Sequence, residues 1–320
     1  MCTAIRLGGK YPHFGRTLDY EYTFGEEVVL LARDAALPSV PKGHLAILGM
    51  AHLADGFPLY YDALNECGVA MAGLNFVGNA IYEKPTESAR QIPPHLLIPA
   101  VLARAESVED AVSFLANVTL CECPYSDKYP IARLHFMIAD KERSVVAEPR
   151  REGLLLYDNP YDVLTNNPPF PMQEANLLRY DTLCAAEPPP PEERWSFSCF
   201  TRGRGSFGLP GDLTSASRFV RAAFYRGTVR EATSPTEAKG TLLHLLDAVS
   251  VLDGAVRTAH GNDRTQYSSC MDLTEISYAY TTYENRRIRC IRLSDLPLDK
   301  EKILSFPLYK VEEIAYEKGG

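Results

Sequence analysis

Apolar positions along this chain come in short bursts of four to eight residues, the spacing of strands more than of long amphipathic helices. Residues 2–7 predict a short strand, closed by a turn at Gly8, Gly9 and Pro12. Residues 17–22 and 28–32 read as the arms of an extended pair around Phe24 and Gly25, and residues 45–50 form another apolar run. Residues 60–65 and 69–75 flank Glu66-Cys67-Gly68, a hairpin-like connection. The pattern then changes to helical spacing. Residues 94–104 carry Leu97, Ile98, Val101 and Leu102, and Ser107 with Asp110 three residues on opens a second helix with Val108, Ala111, Val112 and Leu115 on one face.

Residues 133–139, 144–147 and 154–157 predict three more strands, and residues 173–183 a helix. Pro188 to Pro191 break the pattern, because a proline run cannot lie inside a helix or a central strand. Residues 214–225 read as helical. Ser234-Pro235-Thr236-Glu237 combines a serine cap, a first-turn proline and a glutamate three residues on, and predicts a helix to about Leu252. Residues 265–270, 276–282 and 287–293 are the last clear strands. No regular strand–helix alternation, P-loop or dinucleotide-binding glycine pattern appears, so the order predicts an α+β fold with helices segregated from mostly antiparallel sheet.

Composition narrows the function. The 320 residues are 46% apolar and 23% charged, ordinary for a globular chain, with a net charge of −8. An acidic chain whose basic clusters are as small as Arg202/Arg204 and Arg286/Arg287/Arg289 is not expected to bind nucleic acid. No export signal or membrane-length apolar run is seen, so a cytoplasmic protein with no membrane span is expected. Eight cysteines are then expected to be free thiols. Cys121-Glu122-Cys123 is too tight for a zinc knuckle and the histidines have no ligand spacing, so no metal is expected.

Cys2 is the most informative residue. Removal of Met1 would leave it with a free α-amine, of ordinary pKa about 7.7–8.0, beside its own thiol. One residue would then hold both nucleophile and base. By position alone, the plainer reading prevails: Cys2 is merely the second residue of a buried first strand.

The surroundings decide. Met1-Cys2-Thr3-Ala4 is followed in order by Phe14-Gly15-Arg16-Thr17-Leu18-Asp19, Asn65-Glu66-Cys67-Gly68, Ala72-Gly73-Leu74-Asn75-Phe76 and Leu134-His135. Leu164-Thr165-Asn166-Asn167-Pro168, Leu209-Pro210-Gly211-Asp212, Ser217-Arg218-Phe219 and Ser268-Ser269-Cys270 complete the set. Over nearly its full length the chain resembles the choloylglycine hydrolase family, the cysteine branch of the N-terminal nucleophile hydrolases. The resemblance implies a single domain over residues 1–320, built as a four-layer αββα sandwich with two antiparallel sheets between helical layers. It also implies amide hydrolysis without a cofactor, a homotetramer, and an excursion at about 187–210 used in subunit contacts.

The resemblance also assigns roles. Cys2 is the nucleophile and its liberated amine the proton shuttle. Arg16 lies against the thiolate, whose charged form a guanidinium favours. Asp19 accepts from the Cys2 amine. Asn75 and Asn166 surround the reacting carbonyl, with the Asn75 amide and a backbone N–H as oxyanion donors. Arg218 joins the polar network around the nucleophile. Taken singly, these residues read as a surface ion pair, turn asparagines and a solvated arginine. His135 reads as a core histidine or as one that supports the site from behind, and the tyrosines as mostly half-buried positions, some of them lining an amphipathic groove. Asparagine at position 75, where the penicillin V acylase branch often has tyrosine, favours a conjugated bile salt as substrate. Penicillin V and an inactive binding relative stand as alternatives.

Overall fold

The structure is a computed structural model that describes residues 1–88, 90–188 and 202–318. Its core is two antiparallel sheets face to face. The first sheet runs, in spatial order, through Val163–Leu164, Cys2–Leu7, His13–Tyr20, Asn262–Asp272, Ser277–Thr282 and Arg289–Arg292. The second runs through Gly153–Asp158, Ser144–Arg150, Leu134–Ala139, Ala70–Asn75, Phe57–Asn65, Ile47–Ala54, Glu26–Leu31 and Ile303–Pro307.

Both faces of the second sheet are buried, which explains why its strands read as apolar runs and not as alternating ones. Val28, Leu30, Ala72, Leu74 and Met137 enter the core shared with the first sheet. Their neighbours Val29, Leu31, Met71, Phe136 and Ile138 point the other way, onto the helices Pro94–Leu102 and Val108–Leu115. The helices Ser215–Thr228 and Pro235–Asp247 lie on the outer face of the first sheet, Leu242 and Leu246 filling the interface. The result is the αββα layering that the resemblance implies.

The helix starts form as expected. Ser107 Oγ accepts from the Asp110 N–H at 3.1 Å, and Ser234 Oγ from the Glu237 N–H at 3.1 Å. The second of these helices stops at Asp247, short of Leu252. There Arg221 takes the Ala248 carbonyl at 3.0 Å and Val251 is drawn to Thr265, whose hydroxyl accepts its N–H at 2.8 Å. The helix expected at 173–183 occupies Phe170–Leu177, followed by a single turn at Leu178–Tyr180. Pro171 suits its first turn, and Glu148 accepts the Phe170 N–H at 2.9 Å.

One expected pairing is wrong. Residues 17–22 and 28–32 are not partners, because the chain changes sheets between them. Thr17 and Leu18 pair with Thr3 and Cys2, whereas Glu26–Leu31 pairs with Ile47–Ala54. The Glu26 carboxylate accepts the Phe24 N–H at 3.0 Å and the Thr23 hydroxyl, folding the crossing segment on itself. The edge strand Ile303–Pro307 was not expected; it pairs with Glu26–Leu31. Most of the excursion at 187–210 lies outside the described residues. Of its described part, Arg204 donates to the Pro188 carbonyl at 2.9 Å.

Candidate active site

The pairing of the first two strands sets Cys2 opposite Leu18 and Ala4 opposite Arg16. The strand His13–Tyr20 also lies so close to Asn262–Asp272 that a Cβ on Gly15 would fall 2.1 Å from the Ser269 carbonyl oxygen. Only glycine permits that approach. Arg16 follows directly, wholly buried, its N–H donating to Ser269 Oγ at 3.2 Å.

The Arg16 guanidinium reaches across the sandwich. Nε donates to the Thr17 carbonyl at 3.0 Å, and Nη1 to the carbonyls of Gly73 at 2.9 Å and Tyr61 at 3.3 Å. Burial acts against its charge, but Cys2, Tyr267, Asp62 and Asp19 outweigh that cost and hold it protonated above the ordinary arginine range.

Arg218, on the helix Ser215–Thr228, approaches Cys2 from the other side. Its Nη1 donates to the Cys2 carbonyl at 2.6 Å and to Thr3 Oγ1 at 2.5 Å, and its Nη2 to Asn166 Oδ1 at 2.7 Å. Burial lowers its pKa, against the pull of Asp19 and Cys2. Asn166 is the junction. Oδ1 also accepts the Cys2 N–H at 2.8 Å, Nδ2 donates to the Asn75 carbonyl at 2.8 Å, and the Asn166 N–H donates to Ser215 Oγ at 2.8 Å.

All six expected residues therefore gather at one end of the sandwich, with one difference in detail. The nitrogen of Cys2, an amide while Met1 is attached, bonds Asn166 and not Asp19. The Asp19 carboxylate instead accepts hydroxyl hydrogens from Thr265 at 2.7 Å and Thr17 at 3.1 Å. The Asp19 backbone exchanges two bonds with Met1, of 2.6 and 2.9 Å.

A group that sequence reasoning missed lies behind Arg16. Asp62, fully buried, accepts the hydroxyls of Tyr267 at 2.5 Å and Tyr278 at 2.6 Å. These bonds link the two sheets. Burial raises the Asp62 carboxyl above its ordinary value, opposed by Arg16 and the two tyrosines. Only an aspartate in an otherwise apolar strand signalled it.

Cys2, Arg16 and Asn75 face a cavity of ≈ 550 Å³. Aromatic and aliphatic side chains wall it, among them Tyr20, Tyr22, Phe24, Leu59 and Ile98. No cluster of three or more potential metal ligands occurs among the described residues. No helix among them is long and apolar enough to cross a membrane.

A family model for linear amide C–N hydrolases of the choloylglycine hydrolase family matches residues 2–306. The chain belongs to this family. The bile salt hydrolase/transferase of Lactiplantibacillus plantarum is 38% identical over 96% of this chain and 97% of its own length. That of Clostridium perfringens is 35% identical over 98% and 99%. The crystal structure of a mutant conjugated bile acid hydrolase from Clostridium perfringens superposes with a TM-score of 0.93 at 34% identity, covering 99% of this chain and 100% of that one. A penicillin V acylase from Agrobacterium tumefaciens shares the fold, with a TM-score of 0.77 at 20% identity. Membership in the choloylglycine hydrolases makes the chain an amide hydrolase with an αββα sandwich, as expected from its motifs.

Proposed function

We propose that this chain hydrolyses the amide bond of glycine- or taurine-conjugated bile salts, releasing the bile acid and the amino acid. The observation that carries this reading is the junction of Cys2, Arg16 and Asn75 with an apolar cavity of ≈ 550 Å³. Such a space suits a rigid, largely hydrophobic acyl group whose amide carbonyl reaches the thiol. The names of the bile salt hydrolases to which the chain is similar support the same substrate.

The proposed chemistry uses the chain's own groups. With Met1 removed, the Cys2 thiolate attacks the amide carbonyl beside Arg16. The Asn75 amide and a backbone N–H hold the developing oxyanion. The α-amine, oriented by Asn166 and Asp19, protonates the leaving glycine or taurine nitrogen. It then takes a proton from the water that cleaves the thioester. Arg218 fixes the Cys2 carbonyl and Asn166 throughout. In this reading the domain acts as one unit, in the cytoplasm, as a homotetramer, which light scattering of the purified protein tests.

The substrate is tested by incubating the enzyme with glycocholate, taurocholate and penicillin V at equal concentration. Release of glycine and taurine with higher kcat/KM than release of the aminopenicillanic nucleus is expected. Cleavage of penicillin V alone overturns the bile-salt reading.

A further inference from the structure

His135 is absent from the cavity wall, yet its ring touches both segments that carry the site's asparagines. The strand Leu134–Ala139 pairs with Ala70–Asn75, setting His135 opposite Leu74 and Leu134 opposite Asn75. The imidazole stacks on Phe76, the residue after Asn75, with ring centres 4.2 Å apart and planes at 7°. On its far side Nε2 donates to the carbonyl of Thr165, the residue before Asn166, at 2.9 Å. A carbonyl can only accept, so Nε2 carries hydrogen. Nδ1 meets Glu148 Oε1 at 3.2 Å, and that oxygen also takes the Phe170 N–H at 2.9 Å, which fixes the carboxylate and through it the ring.

The contact crosses between sheets. His135 belongs to the second sheet, whereas Thr165 continues from the edge strand Val163–Leu164 of the first. Thr165 is also tied to the helix that carries Arg218, its hydroxyl donating to the Ser215 carbonyl at 3.0 Å. Ring and carboxylate are wholly buried. The two asparagines are themselves bonded, Asn166 Nδ2 to the Asn75 carbonyl at 2.8 Å.

We propose that His135 is a positioning residue for catalysis: it clamps the residue after Asn75 to the residue before Asn166, and so sets the spacing of the two amides around the reacting carbonyl. This inference rests on the amide-hydrolase reading of the same site. The clamp touches no substrate. Its loss therefore lowers kcat and leaves KM largely alone, because only the transition state registers the displaced donors.

His135→Phe keeps a ring to stack on Phe76 and removes both nitrogen contacts. A fall in kcat of about 10²-fold is expected, the order that an ångström of misplacement costs, with KM little changed. His135→Gln, whose amide still donates towards the Thr165 carbonyl, should recover most of the loss. Native kcat in His135→Phe beside a lowered melting temperature would reduce the histidine to support of the fold. Failure of glutamine to rescue would equally overturn the clamp. Should His135→Phe not fold, His135→Gln and His135→Asn carry the comparison, since the shorter amide cannot span to Thr165; equal kcat in the two overturns it. The wild-type assay with glycocholate and taurocholate judges the substrate separately. If the wild type releases neither amino acid, the clamp is judged by a crystal structure of His135→Phe. The 2.8 Å bond between Asn166 and Asn75 should be broken there, and its retention overturns the clamp.

Discussion

The wall behind Cys2 and the wall that faces it are built by opposite means. Behind Cys2, charged and amide groups from separate strands and a helix are tied by directional hydrogen bonds of 2.5 to 3.3 Å. Facing it, Tyr20, Tyr22 and Phe24 meet through ring contacts at 4.8 to 5.0 Å, on a segment that crosses between the sheets. The opposite rim, residues 121–133, forms isolated bridges and no strand or helix. Directional bonds hold atoms to tenths of an ångström, which bond-breaking requires. Ring contacts have broad minima and accept a bulky apolar body in more than one pose. Under the proposed function, this difference predicts that the rigid wall governs rate and the aromatic wall governs affinity.

Substitutions test that division, most severely at Cys2. Cys2→Ala should abolish turnover and Cys2→Ser should lose at least about 10³-fold, with the melting temperature held, because a hydroxyl is a far poorer nucleophile near neutral pH. Intact mass spectrometry of active enzyme should show that Met1 is gone; full activity with Met1 retained breaks the mechanism.

Asn75→Ala comes next. Loss of one oxyanion donor should lower kcat by about 10² to 10³ with little change in KM. A rise in KM alone would move Asn75 to the recognition wall.

Phe24→Ala probes that wall. Losing a half-buried ring's apolar contact should raise KM for bile-salt conjugates about tenfold and spare kcat. A fall in kcat without a change in KM would erase the distinction between the walls.

The smallest effect concerns Asp62. Its carboxyl is raised by burial, so the folded chain holds that proton more tightly than the unfolded chain does. The resulting stability is present at low pH and is lost as pH rises through the folded-state value. Asp62→Asn has no such proton. The wild-type melting temperature should therefore gain on the variant's as pH falls from neutral into the acid range, in melts run in parallel. A difference constant with pH would mean that Asp62 acts only as an acceptor for Tyr267 and Tyr278.

The layers and most strands were legible because local signals specify them: caps at Ser107 and Ser234 and the turn at Glu66-Cys67-Gly68, while motifs in a fixed order pointed to six residues that the fold brings near one another. The pairing of 17–22 with 28–32 failed because turn chemistry at Gly25 says that the chain reverses, not which sheet receives it. Ile303–Pro307 was missed because a five-residue edge strand beside charged residues has little pattern of its own. Asp62 with Tyr267 and Tyr278, and His135 with Thr165, escaped because each group exists only once the sheets meet. An isolated polar residue in an apolar run marks the place without naming its partner.

The bond from Cys2 to Asn166 spans 164 positions along the chain, and that from Arg16 to Ser269 spans 253. Contacts between such distant stretches form late and slowly, because the entropy of closing the loop precedes any gain from the contact. During synthesis the N-terminal segment emerges first, and its strand His13–Tyr20 waits for Asn262–Asp272 as its neighbour in the sheet. The Cys2 thiol is thus made second, after Met1 alone, and is among the last side chains to meet its partners. A nascent chain carries the thiol for almost the whole of translation without the cradle that makes it an enzyme.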